Sequence, residues 1–203
     1  MALSLRSALP APRSPLPLGP QVPPGKLVEL SGTRACARTS AAVEILLHAQ
    51  IEGETAAWIQ PAGGWLYPPD LRESGVDLDA LAILHIPREF GDPGLARAAE
   101  LLLRSGAFGL IVIDWRISAA RMGAAVQGRL SSLAREHDSR VLLLTNKSAT
   151  VESLGPLVSL RIEPERVRRA PGSFHIDHHV LKNKQGLPLS VAANARRGPW
   201  GLR

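Results

Sequence analysis

Residues 25–40 read GKLVELSGTRACARTS. Leu27, Val28, Glu29 and Leu30 form a short run that predicts a buried strand over Leu27–Ser31. Gly32 opens a turn, and Ala41, Ala42, Ile45, Leu46 and Ala49 then recur at helical spacing up to the stop at Gly53. Strand, glycine turn and helix in that order are the setting of a phosphate-binding loop, GxxxxGK[ST], which makes a separate physical demand at each position. Gly32 supplies the first turn and Thr39 the hydroxyl that ligates magnesium. Ala37 puts a methyl group where a second glycine lets the backbone wrap phosphates. Arg38 puts a broad planar fork where a lysine delivers a compact charge. Length and context fit, but the two most demanding positions do not, so the stretch reads as a degenerate nucleotide loop.

Outward from it, strands and helices alternate. Residues 55–59, Leu81–Ile86, Leu110–Asp114 and 141–145 are predicted strands. Residues 95–104 read as a helix started by Asp92 and closed by Gly106, and Met122, Val126, Leu130 and Leu133 make a second helical stripe. The strand runs are continuously apolar, as in strands covered on both faces, which predicts a mainly parallel sheet flanked by helices. After residue 155 the pattern turns to alternation, over 158–162, 174–181 and 189–191, and predicts antiparallel edge strands. The expected fold is therefore α/β.

Seven of the 17 prolines fall in the first 24 residues, so 1–24 is expected as an extended arm, 25–192 as the domain and 193–203 as a basic flexible tail. No stretch has the apolar length of a membrane span, and the single Cys36 excludes an internal disulfide, so a soluble cytoplasmic protein is expected. Residues 27–160 carry 12 basic and 15 acidic groups, whereas 161–203 carry nine basic and three acidic. The basic surplus lies at the ends, with Arg196, Arg197 and Arg203 as candidate contacts to single-stranded DNA.

Further motifs keep the same order. Leu110–Asp114 ends four apolar residues on an aspartate, as a Walker B strand does; Asn146 and Lys147 follow the strand at 141–145; and residues 180–184 read VLKNK. Over about residues 25–190 this set resembles the ATPase core of the bacterial recombinase RecA, with GKLVELSG and SGAFGLIVID similar to that family's strand openings. The resemblance implies that Asp114 belongs to the nucleotide site and that Lys182 and Lys184 match lysines at an interface between subunits. It also implies departures. Ala62 falls where the family has its catalytic glutamate, and Lys147 where it has the glutamine that senses the terminal phosphate. The two DNA-binding loops are short, the proline-rich stretch stands in place of the polymerising arm, and the C-terminal domain has no counterpart. A short RecA-like chain of this kind is similar to the ImuA (SulA-like) proteins. That likeness implies a non-catalytic regulator in the DNA-damage response, with RecA and an ImuB-type polymerase-like protein as partners and no cofactor. A weak ATPase switch and a nonspecific nucleic-acid-binding module are the alternatives.

Other residues have plainer readings. Thr39 also suits a helix N-cap. His175, Asp177 and His179 share one face of a strand, which alternation explains without a metal. Trp58 reads as core and Trp65 as pinning a loop. Trp200, in the basic tail, reads as an anchor for a partner.

Overall fold

The computed structural model describes residues 17–33, 36–115, 122–170, 173–186, 191 and 195–197, the last three by backbone alone. Eight strands form one sheet: β1 (Leu27–Ser31), β2 (Ala56–Pro61), β3 (Leu81–Ile86), β4 (Leu110–Asp114), β5 (Arg140–Thr145), β6 (Val158–Ala170), β7 (Ser173–Asn183) and β8 (Ala195–Arg197). Their order is β3-β2-β4-β5-β1-β6-β7-β8. All pairings from β3 to β6 are parallel, and those of β6 with β7 and β7 with β8 are antiparallel. β6 thus joins the two halves of the sheet, and the antiparallel part begins one strand later than alternation suggested.

Period-two side-chain direction explains why the strand runs are wholly apolar. Val28, Leu30, Trp58, Val112 and Leu142 pack on one face with α1 (Arg38–Ile51) and α2 (Pro68–Glu73). Leu27, Ala57, Ile59, Ile111 and Leu143 pack on the other with α3 (Gly91–Ser105) and α4 (Ala124–Glu136). Glu100 of α3 braces that second layer through Arg104 (2.8 Å) and through Arg129 of α4 (3.3 Å). Burial alone would raise its carboxyl pKa, but Arg129, Arg97 and Arg104 outweigh it and hold the group below the usual glutamate value.

Several boundaries differ from expectation. Asp92 lies within the first turn of α3 and the N-cap position is Phe90, so Asp92 is not the cap; Gly106 does close the helix, in the left-handed region (φ 66°). Leu18 and Val22, inside the expected arm, are buried, and Glu44 accepts a hydrogen bond from the Leu18 amide at 2.8 Å. The packed chain therefore starts before Gly25. At the other end β8 takes residues 195–197, within the expected tail, into the sheet. Among the described residues no helix is long and apolar enough to cross a membrane.

Candidate functional site

The degenerate loop sits at the carboxyl end of β1, between β5 and β6, where open parallel sheets place their ligand crevice. Gly32 is needed for contact: a Cβ there would lie 2.8 Å from both Cβ and Sγ of Cys36. Arg34 and Ala35 lie outside the described residues. Beyond Ile162, β6 no longer pairs with β1 and its edge turns onto the loop. The Ala37 amide donates to the Pro164 carbonyl at 2.8 Å, and Cys36 forms an antiparallel bridge with Glu165. Pro164 has no N–H to leave unpaired, which suits an edge of this kind.

Arg38 turns back over the mouth of the loop. Its Nη1 donates to the Gly32 carbonyl at 2.6 Å and to the Thr145 carbonyl, with Asn146 Oδ1 at 3.5 Å. The guanidinium therefore caps the carbonyl ends of β1 and β5, the place from which a lysine would reach phosphates. Thr39 is the second residue of α1, whose N-cap is Ala37, so Thr39 is not an N-cap. Asp114 is buried at the end of β4, in register with Leu144 of β5. At the end of β2, Ala62 donates its amide to Ile86 O (2.7 Å) and accepts Arg88 Nε at its carbonyl (3.0 Å). The structure brings Gly32, Ala37, Arg38, Thr39 and Asp114 to one end of the sheet, but their polar groups are largely spent on the chain itself.

Beside the loop lies a polar cluster that motif matching missed. Glu29 of β1 is wholly buried. It accepts from Thr145 Oγ1 (2.7 Å) and the Leu154 amide (2.9 Å), with Lys147 Nζ at 3.8 Å and Arg161 Nε at 3.9 Å. Arg161 donates to Ser31 Oγ (2.8 Å), Ser148 O (2.8 Å) and Val151 O, and so pins the segment after β5. Burial pushes the Lys147 ammonium below the usual lysine range, while Glu29 acts against that shift. The available signal was Glu29 itself, a charge within an apolar strand.

Lys182 and Lys184 lie on and just after β7 and turn toward their own chain. Lys182 Nζ donates to Ser153 Oγ and Gly155 O, both at 2.9 Å, and Lys184 Nζ donates to Pro156 O at 3.0 Å. Burial, then the neighbouring Lys184 charge, lowers the Lys182 pKa. Along β7, Arg169 Nε donates to His175 Nδ1 (2.7 Å), His175 Nε2 meets Asp177 at 3.1 Å, and His179 meets Glu165 at 2.9 Å. These histidines are engaged by carboxylates and an arginine. The side chains of Arg196 and Arg197, and the whole of Trp200 and Arg203, lie outside the described residues. Trp58 is core as expected, but Trp65 is 81% exposed among the described residues.

A family model, the RecA N-terminal domain, matches residues 15–149. The chain belongs to that family. Among its relatives is Protein RecA of Fusobacterium nucleatum subsp. nucleatum, 36% identical over 110 residues, which are 54% of this chain and 28% of that protein. Protein RecA of Clostridium tetani is 36% identical and that of Clostridium acetobutylicum 37%, each over 109 residues, covering 54% of this chain and 30% of the relative. The match thus spans less than a third of the length of these curated relatives. The RecA-type resemblance drawn from the loop and the strand motifs holds at the level of family and fold.

Proposed function

We propose that this RecA-type domain does not turn over ATP and serves as a regulator in the bacterial DNA-damage response. In this reading it acts on RecA and on an ImuB-type polymerase-like partner, as its likeness to the ImuA proteins implies. The observation that carries the proposal is the Arg38 guanidinium, which lies on the Gly32 and Thr145 carbonyls across the mouth of the loop. Two further facts support it. The Ala37 amide is spent on Pro164, and Ala62 offers no carboxylate to activate water. Retention of Thr39 and Asp114 favours the rival reading, a weak ATPase switch.

Turnover of magnesium–ATP and binding of a fluorescent ATP analogue separate the two. The native chain should hydrolyse at background rate, whereas Ala37→Gly combined with Arg38→Lys should recover binding without hydrolysis. Added to RecA filaments on single-stranded DNA, the native chain should alter strand exchange. A magnesium-dependent activity of the native chain that Asp114→Ala abolishes would overturn the non-catalytic reading. Strand exchange unchanged at saturating amounts would remove RecA as the partner.

A further inference from the structure

The two edges of the sheet are built differently. β8, at one end, is three residues long and includes Arg196 and Arg197. β3, at the other, reads LAILHI over Leu81–Ile86 and pairs with β2 without a break, from Ala56 opposite Leu81 to Pro61 opposite Ile86. It holds no Lys, Arg, Asp, Glu or Pro and no bulge, the devices that keep a sheet edge from pairing. The carbonyls of Ala80 and Ile86 accept the amides of Ala56 (3.0 Å) and Ala62 (2.7 Å) on the β2 side. Backbone groups alternate in direction along a strand, so the N–H and C=O groups of Leu81, Ile83 and His85 face outward. Among the described residues no strand pairs with that side, and of these groups the Leu81 amide turns to the Leu78 carbonyl at 3.3 Å. Both apolar layers run out here as well. Leu81 and Ile83 are half-buried against the cluster on one face, and Ala82, Leu84 and Ile86 against the cluster on the other. The nucleotide loop, between β5 and β6, makes no use of this edge.

We propose that β3 pairs antiparallel with the β3 of a second copy of this chain, about a two-fold axis centred on Ile83. Three observations choose that occupant. The first is backbone register. Opposed residues of an antiparallel pair must both face the partner or both face away, and centring on Ile83 meets this rule while using all three outward residues. The Ile83 amide of each copy then donates to the opposing Ile83 carbonyl, and each His85 amide to the opposing Leu81 carbonyl. The second is side-chain match. Leu81 falls opposite His85, Ala82 opposite Leu84 and Ile83 opposite itself, so no like charges meet and each apolar layer continues into the next copy. The third is charge at the ends. Exposed Arg88 falls level with Leu78, between exposed Asp77 and Asp79, while Glu89 falls level with Asp77. Two attractions thus stand against one repulsion at each end. Pro87, which has no amide to offer, closes the ladder just past Ile86. An edge that matches itself in this way makes an isologous contact, which closes on two copies.

The test uses the full chain. Sedimentation equilibrium over about 1 to 100 μM should show a reversible equilibrium between monomer and dimer. His85→Pro removes an amide that faces outward, so the bonds to β2 stay, and it should weaken the dimer about tenfold. Circular dichroism checks its folding. A covalent readout does not depend on that variant. In a Cys36→Ser background, Ile83→Cys places the two opposed Cα atoms about 5.5 Å apart, within disulfide reach. Leu81→Cys leaves its two copies more than about 12 Å apart. Mild oxidation should cross-link the first and spare the second. A monomer throughout the series, a dimer indifferent to folded His85→Pro, or cross-linking at Leu81 and not at Ile83 would each overturn the proposal. Masses that climb past twice that of the chain would overturn it too, since they would show open-ended, head-to-tail assembly.

Discussion

Glu29 has no exposed surface and lies in the middle of an apolar strand, so its charge must be offset by its neighbours. The Thr145 hydroxyl, the Leu154 amide, Lys147 and Arg161 do this together, and through them one carboxylate couples β1, β5, β6 and the segment after β5. Removing the charge while keeping the shape leaves Arg161, itself buried, without a counter-charge. Glu29→Gln should therefore lower stability by roughly 3–5 kcal/mol, read as a fall in the urea midpoint at unchanged slope. A shift equivalent to less than about 1 kcal/mol would mean that the pair behaves as an exposed one. The cluster bears on function as well, because the segment it pins is bonded by Lys182 and Lys184 from the other side. Two lysines that a motif assigns to a neighbouring subunit are here parts of a clamp on the chain's own loop.

Elements were legible where one physical demand dominated the residues. Four consecutive apolar residues at 110–113 have no exposed face to supply, so a strand covered on both sides was the only economical reading, and the buried β4 agrees. α2 was missed because six residues opening on Pro68 and Pro69 carry too little periodicity to register. The far half of β6 was missed for the opposite reason. EPERVRR looks like a charged loop, yet its backbone pairs with β7 while its other edge serves Ala37, and neither pairing leaves an apolar trace. The same weakness affects the site: a phosphate loop is legible as spacing, whereas an arginine folding back onto two carbonyls depends on where β5 ends. The start of the domain shows how composition can mislead. Frequent prolines predict an arm, but Leu18 and Val22 between them enter the core, and the Val22 carbonyl accepts Arg140 Nε at 2.9 Å. Leu18→Ala should thus cost about 2–5 kcal/mol in a denaturation experiment. An arm that does not pack would lose nothing measurable.

For the whole molecule, charge is unevenly placed along the sheet. Residues 27–160 are net acidic and supply β1 to β5, while the basic surplus belongs to the β6–β7–β8 side. Part of that surplus is internally engaged: Arg161 with Glu29 and the following loop, Arg169 with His175, Arg166 over the Phe174 ring at 4.3 Å, and Lys182 and Lys184 with the 153–156 segment. Few cations remain on the described surface there for a polyanion, so any contact with single-stranded DNA should involve two or three phosphates and no base sequence. Such binding weakens by about tenfold between roughly 50 and 200 mM salt, much less than for a protein with a full basic groove. Arg196, Arg197 and Arg203 should supply much of it. Deleting residues 193–203 would be a poor test, since it also removes the backbone of β8. Changing the three arginines to serine removes charge and keeps the strand. The triple variant should bind fluorescein-labelled oligothymidylate several-fold more weakly and with a flatter salt dependence, as measured by anisotropy. Equal affinity and an equal slope would move the contact off the tail and onto the β6–β7 hairpin, where exposed Arg168 would be the next residue to change.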